Sequence, residues 1–490
     1  MYIGVDNGGT SCKAVLFDAN GVEIASASED LVMLTPVGGH TERDMEELWQ
    51  ANCRIIRRVI EQSRVNPQKI KGIACSGHGK GLYLWGKDDK PAMNGIVSTD
   101  GRAWMYPQKW AKDGTADKVF DKTFQSILAS QPVSLLCWLR DNRPDVFNNI
   151  KWIFEVKDYI RFRMTGEAYA ELTDISGSNL LNLKTRQYDR KLLDMFALNA
   201  VYDALPPLKR SFDVCGYISG EASALTGLIE GTVVAGGMFD IDSCIAMDIT
   251  NEENIAVIAG TWSINEYISK EPVLNKTVMM NSIYCMDDYY LVEECSPTSA
   301  GNMAWFIEMF MPDVESYSEF MKLAEAVEPG EQNLIFLPFL YGSNYDPQAK
   351  ASLLGLDSHH TRNHVARAII EGICFCHKVH IEKLLKNREK TNAIRLAGGA
   401  AKSLLWAQLF ADIMELPVEL VKTDELGALA SAMAAAVAAG EYADFPEAAK
   451  AMTEVKSRVE PNPETYKFYR KKFGLYKQIT QCLEDSWKEF

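Results

Sequence analysis

The chain has 490 residues, 47% hydrophobic and 24% charged, an ordinary composition for a globular protein long enough for two large domains. Its 66 acidic residues against 51 Lys and Arg give a formal charge of −15, and no dense basic run occurs, which argues against nucleic acid or an anionic membrane as partner. Eleven cysteines, odd in number and without a CxxC pair, suit reduced thiols in a cytoplasm better than a disulfide framework or a zinc site.

In chain order, Met1-Tyr2-Ile3-Gly4 offers no basic, apolar leader, so no secretion signal is expected. Tyr2 to Val5 reads as a strand. Asp6-Asn7-Gly8-Gly9-Thr10-Ser11-Cys12-Lys13 follows, then strands at Ala14 to Phe17 and Val22 to Ala27 around an Asp-Ala-Asn-Gly turn. The first turn carries an Asp, two glycines and two hydroxyls. Glycine-turn amides can nest an anion, and Asp6 beside them suits Mg²⁺; a plain β-turn is the alternative. An amphipathic helix is expected from Glu42-Arg43-Asp44 to Gln62. Ile70 to Cys75 reads as a buried strand running into Ser76-Gly77-His78-Gly79-Lys80-Gly81, and Leu82 to Trp85 as another strand. Ile96 to Asp100 leads to Gly101-Arg102. Ligands in α/β proteins bind at strand ends, which makes His78, Lys80, Asp100 and Arg102 substrate candidates; Lys80 and Arg102 are equally compatible with solvated charge. Residues 116–170 read as mostly helical.

Val233-Val234-Ala235-Gly236-Gly237-Met238-Phe239-Asp240 is an apolar strand that stops at paired glycines before an acid. A carboxylate there can accept a proton from a bound hydroxyl, or simply cap the next helix. Asp242 reads as a second carboxylate of the site or, in preference, as a helix cap. A domain boundary is expected just beyond, giving domains 1–246 and 247–490. The second half restarts with strand Asn254 to Ala259, the turn Gly260-Thr261-Trp262-Ser263 and a strand to Ile268, a second hairpin like the first. Two such hairpins, one per half, would grip one polyphosphate across a cleft. Helices are expected from about Asn302 and over His364 to Leu385, with a strand at Ile335 to Leu340. Ile394 to Ala397 is a strand ending in Gly398-Gly399-Ala400-Ala401-Lys402-Ser403, over which a base and ribose can lie, with Ser403 capping a helix to Met414. The Ala-rich run Leu426 to Gly440 is shorter than the ~20 residues that span a bilayer and reads as a buried helix. From Pro461 the chain reads as a charged, solvated tail.

These parts together resemble the FGGY family of carbohydrate kinases. Asp6-Asn7-Gly8 with Lys13 resembles its first phosphate motif, Gly236-Gly237-Met238-Phe239-Asp240 its catalytic segment, Gly260-Thr261-Trp262 its second phosphate motif and Gly398 to Ser403 its adenosine motif. Ala351 to Leu356 with His364 to Glu371 fits the longer C-terminal signature. Ser130-Gln131-Pro132 with Trp138 to Asn142 fits the N-terminal one, except that Leu135 stands where Lys is usual. Within the family the likeness is nearest to the kinases of L-xylulose and 3-keto-L-gulonate, on Gly79-Lys80-Gly81, Ser296-Pro297-Thr298-Ser299 and Leu337 to Asn344.

The resemblance implies an α/β fold of two actin/hexokinase-like (ribonuclease H-like) domains with a central cleft. It implies ATP-dependent phosphorylation of a small ketose, most simply L-xylulose or a related keto-sugar or keto-sugar acid; other pentuloses and polyols such as D-xylulose, ribulose, erythritol and glycerol are the alternative. Asp240 would be the base and Asp6 would hold Mg²⁺. Gly8, Gly9, Thr10, Ser11, Lys13, Gly260 and Thr261 would meet phosphate, and Gly398, Gly399, Ala400 and Ser403 adenosine. Lys80, His78, Asp100, Arg102 and Phe239 would border the sugar. Gly9 stands where Thr is common, so Thr10 or Ser11 would supply the hydroxyl. A homodimer is the family's usual state. A non-catalytic actin-like ATPase and an amino-sugar kinase are the rival classes.

Overall fold

Strand alternation in the first hairpin sets up the architecture of the first half. The computed structural model describes all residues except Asn344, Tyr345, Pro347 and Glu389; the last position of the 337–344 motif therefore lies outside the described residues. β1 (Tyr2–Asn7) and β2 (Ser11–Phe17) pair antiparallel, with Asp6 opposite Lys13. β3 (Glu23–Asp30) extends this edge, and β4 (Gly72–Gly77) runs parallel to β1 on the other side. β5 (Val214–Tyr217) and β6 (Val233–Ala235) complete the order β5-β6-β4-β1-β2-β3, while β7 (Met238–Phe239) also pairs with β4. Ile3 and Val5 face helix α1 (Met45–Ser63), whose Leu48, Ile55 and Val59 share their core. By period-2 alternation Tyr2, Gly4 and Asp6 face the opposite side.

The second sheet has order β10-β11-β9-β8-β12-β13-β14, from β8 (Ile255–Ala259), β9 (Ser263–Ser269), β10 (Met280–Ile283), β11 (Tyr290–Ser296), β12 (Ile394–Gly398), β13 (Val418–Val421) and β14 (Val455–Val459). Ile255 and Val257 face a core built with helices α2 (Ala300–Phe310), α3 (Arg362–Leu385) and α4 (Leu404–Met414). Ala256 turns to the seam between the halves. Helix α5 (Leu426–Ala438) fills that seam, lying on β1 and β4 of the first sheet. Contact is close because Gly4 has no side chain: a Cβ there would sit 1.7 Å from the Ala428 carbonyl oxygen. The expected two-sheet α/β architecture with a cleft between the halves is what the chain adopts.

Several expectations are corrected. Glu42–Arg43 is a short strand paired with Gly95–Ile96, and α1 begins after Asp44, whose Oδ1 accepts from the Glu47 amide. The expected strand to Asp100 is only Gly95–Ile96. A strand, Ile150–Phe154, interrupts the helical stretch and pairs with Tyr83–Gly86. The strand expected to reach Leu340 stops at Leu337, before Pro338. The tail is not solvated: α6 (Pro463–Leu483) buries Tyr469, Phe473 and Tyr476 in the second core. Lys472 forms a buried ion pair with Glu371 at 2.6 Å.

Candidate active site

Asp6 and Asp240 line one cavity of about 250 Å³, together with Ser243, Ile258, Ile264, Gly398 and Asp424 to Gly427. Its walls come from both sheets. β1 carries Asp6 into it on the face set by alternation. β7 leads directly into Asp240, the first residue of a 3₁₀ helix, Asp240–Met247, whose cap position is Phe239, so the helix-cap alternative for Asp240 is not adopted. The Asp6 carboxylate receives the Ser76 hydroxyl at 3.0 Å and lies against the first turn of α5. A Cβ on Gly427 would stand 2.7 Å from that carboxylate.

Burial pushes the Asp240 carboxyl up to about 8, and the negative charge of Asp6 adds to the shift; Lys80 opposes it and Glu293 reinforces it. Asp6 is raised too, chiefly by burial, with the Ser76 hydrogen bond opposing and Glu425 adding. Two carboxyls with surplus proton affinity therefore share one polar cleft. That arrangement suits a base for a hydroxyl and leaves Asp6 electrostatically suited to a cation.

The first turn is shaped by a residue that sequence reasoning missed. Buried Arg43 donates to the carbonyls of Gly8 (3.4 Å) and Gly9 (2.6 Å), while the amides of those glycines make no backbone hydrogen bond among the described residues. Thr10 is exposed at the turn and Ser11 opens β2. Lys13 is ion-paired with Glu425 at 2.7 Å, across to the second half, rather than standing free. In the second turn the Gly260 amide donates to the Trp262 carbonyl at 3.2 Å, so of the two amides expected for phosphate, Thr261's is the one without a backbone bond among the described residues. Gly398 pairs with Ala259 in β12 and β8 and adopts φ +83°; with Gly399 it stands next to the second turn. Ala400 is buried in the core, and the Ser403 oxygen caps α4 by accepting from the Trp406 amide at 3.3 Å. Neither of those two side chains is presented to the cavity.

On the substrate side the outcome is mixed. Lys80 sits at φ +66° in its loop, and its ammonium has no hydrogen bond or ion pair among the described residues. Its charge acts on Asp240, Glu293 and Glu155. Glu293 lies on β11 opposite Glu266 of β9, on the sheet face of the cavity residue Ile264. Among the described residues, Oε2 of Glu293 and both carboxylate oxygens of Glu155, Asp174 and Glu266 are buried without a hydrogen bond, though Asp174 is ion-paired with Lys157 at 3.5 Å. None of these four acids was singled out as a site residue. Glu293 and Glu266 are paired only by strand register, which the sequence alone does not reveal.

His78 is buried and neutral, its pKa brought down to about 4 chiefly by burial and then by Arg43; its Nε2 lies 3.1 Å from the Tyr83 hydroxyl. Phe239 is buried and serves as a platform: a Cβ on Gly79 would lie 2.2 Å from its ring, so it supports the Lys80 loop from beneath. The expectation for Asp100 and Arg102 is corrected. Arg102 donates through its backbone N, Nε and Nη2 to Asp100 and through Nη2 to Glu42 at 2.8 Å, while the Thr41 amide takes the other side of Asp100. The guanidinium lies over Trp138 at 5.1 Å. The pair is a closed, buried structural cluster. Asp242 is no cap either: its Oδ1 accepts from the Cys285 amide at 2.7 Å, tying the 3₁₀ helix to the second half.

With this geometry in place, the comparisons are specific. The model for the N-terminal domain of the FGGY family of carbohydrate kinases matches residues 1–245, and that for its C-terminal domain residues 255–439. The chain is 36% identical over 487 residues to the "Probable L-xylulose kinase" of Pasteurella multocida, covering 99% of each. It is 35% identical over 485 residues to the "L-xylulose/3-keto-L-gulonate kinase" of Escherichia coli, covering 99% of this chain and 97% of that one. Among solved structures, ligand-bound xylulose kinase from Lactobacillus acidophilus superposes with a TM-score of 0.92 at 29% identity, covering 100% of this chain and 99% of that one.

A two-sheet α/β protein with a carboxylate pair in a cleft between its halves is thus joined to a full-length sequence match. The chain belongs to the FGGY family of carbohydrate kinases: it is a phosphotransferase acting on a sugar hydroxyl, with ATP as cosubstrate. The non-catalytic actin-like reading falls with that membership.

Proposed function

We propose that this protein phosphorylates L-xylulose or a closely related keto-sugar, with Asp240 as general base. The observation that carries the reading is the shared cavity: Asp240 lines it together with Asp6, and its proton affinity is raised. Asp240 takes the proton of the sugar hydroxyl as that oxygen bonds to the γ-phosphorus. The bond from phosphorus to the ADP oxygen breaks in line, and positioning supplies most of the rate. The Gly8, Gly9 and Thr261 amides bind phosphate oxygens, and the Gly398–Gly399 turn lines the adenosine. Asp6 would hold Mg²⁺; when bound, the cation offsets phosphate charge. Its buried carboxylate against Gly427, with a second acid across the cavity, fits that role.

Lys80 by itself suggests a carboxylated sugar. Its charge, however, is already faced by Asp240, Glu293 and Glu155, which favours a neutral keto-sugar over its acid analogue. ADP release across L- and D-ketopentoses, polyols and keto-acids tests the assignment. L-Xylulose is expected to give the highest kcat/KM, and preference for glycerol or for a hexonate would overturn it.

The same reading divides the chain into domains 1–246 and 247–490, with α5 returning from the second to cover the first. It takes the molecule as a homodimer, checked by light scattering, in a reducing cytoplasm that suits eleven unpaired cysteines, ten of them buried. No helix among the described residues is long and apolar enough to cross a membrane.

A further inference from the structure

Helix α3 carries a fully buried imidazole that the mechanism above does not use. His377 Nδ1 lies 2.8 Å from Asn265 Oδ1 and 3.0 Å from Ser263 Oγ, and its Nε2 lies 3.2 Å from Ser299 Oγ. An amide oxygen only accepts, so Nδ1 bears the proton; Nε2 is then the acceptor, and the Ser299 hydroxyl donates to it. Burial keeps the ring well below its ordinary pKa and hence neutral, which this pattern requires. The ring also meets Phe410 edge-to-face at 5.1 Å.

Each partner belongs to a different piece of the nucleotide side. Ser263 is the first strand residue after the Gly260–Trp262 turn. Ser299 immediately precedes α2, whose Ala300 amide donates to the Gly260 carbonyl at 2.9 Å. Gly301 there is so close to the turn that a Cβ would meet Thr261 Cγ2 at 3.1 Å. Phe410 lies on α4, the helix that follows the Gly398–Ser403 turn. Ser299 stands at the cap position of α2, yet its side chain caps no amide. Its hydroxyl goes to His377 instead. The neighbouring His380 serves a separate anchor, with Nε2 2.7 Å from Ser296 Oγ and Nδ1 3.0 Å from Glu294 Oε2.

We propose that His377 is a positioning residue for the nucleotide: one neutral imidazole holds the second phosphate turn, the start of α2 and the α4 helix in mutual register. It does so without touching ATP. The proposal rests on the placement of the nucleotide given above.

Steady-state kinetics with both substrates varied test it, on His377→Leu, His377→Asn, Ser299→Ala and the Asn/Ala double variant. Asn retains a donor near Nδ1 but does not reach Ser299. His377→Leu is expected to raise the KM for ATP about tenfold, and each milder variant about fivefold, the scale of one or two buried hydrogen bonds, with the sugar KM within about twofold. The double variant is expected to be no worse than either of its single changes, because both sever the same bond. Should His377→Leu fail to fold, Ser299→Ala, which removes one hydroxyl, decides the matter. An unchanged KM for ATP in folded variants, a parallel rise in the sugar KM, or additive effects in the double variant would overturn the proposal. A wild-type protein without ATP-dependent turnover on any sugar would instead overturn the nucleotide placement itself.

Discussion

As the proposed base, Asp240 must be ionised, and its surroundings resist that. In the free enzyme its carboxyl titrates at about 8, so kcat/KM for the sugar is expected to rise with pH, with a midpoint near that value. Lys80 favours the charged form. Replacing it by Met removes a cation and is expected to move the midpoint upward, read from the same pH profile; an unmoved midpoint would separate Lys80 from the base. Asp240 stands out in the sequence because its signal is local: a strand, two glycines, an acid. Asp100 and Arg102 looked equally promising at a strand end. Their true partners, Thr41 and Glu42, lie some sixty residues away in sequence, and only the folded chain brings them together. The buried acids Glu155, Asp174, Glu266 and Glu293 were not singled out for the same reason, since the fold and not the local sequence brings their charged neighbours together.

At the scale of elements, the tightest constraint on the site is helix α5. Its first turn meets Asp6 across Gly427, and Gly427→Ala forces the helix or the carboxylate to move. The expected result is a fall of about tenfold or more in kcat/KM for ATP with the melting temperature nearly kept, the loss being one of placement. The sequence marked α5 as buried because it is apolar all round. That same uniformity concealed which sheet it covers. The C-terminal helix α6 is the opposite case. Tyr469, Phe473 and Tyr476 form a stripe at helical spacing, but dense Lys and Arg around it read as solvent-facing charge. Lys472 itself is inside, paired with Glu371, which also binds Arg367 at 2.9 Å. Lys472→Ala leaves that carboxylate short of a partner and is expected to cost about 3 kcal/mol, measured by chemical denaturation. A change below the scatter of the measurement would show that Arg367 alone suffices.

Across the whole molecule the active cavity exists only where the two halves meet. Asp6 comes from the first sheet and Asp240 from the 3₁₀ helix that follows it, Ile258, Ile264 and Gly398 come from the second sheet, and Lys13 bridges to Glu425 beside them. Two similar hairpins, one per half, made this division readable in the sequence. The apolar seam that joins the halves, including Met247, Ala256, Met280 and α5, was not, because its members are spread through the entire chain. Such a cleft favours closure over bound sugar, which excludes water from the phosphoryl group. ADP release without sugar is therefore expected to be far slower than with it; equal rates would place the chemistry outside a closing cleft.

The most direct test of the account follows phosphoryl transfer from ATP to L-xylulose by ³¹P NMR, in the wild-type protein and in Asp240→Asn, with sugar binding checked by calorimetry. The account predicts equimolar ADP and sugar phosphate from the wild type, and a rate about 10²–10⁴-fold lower in the variant with sugar affinity retained. Undiminished turnover in Asp240→Asn would contradict it.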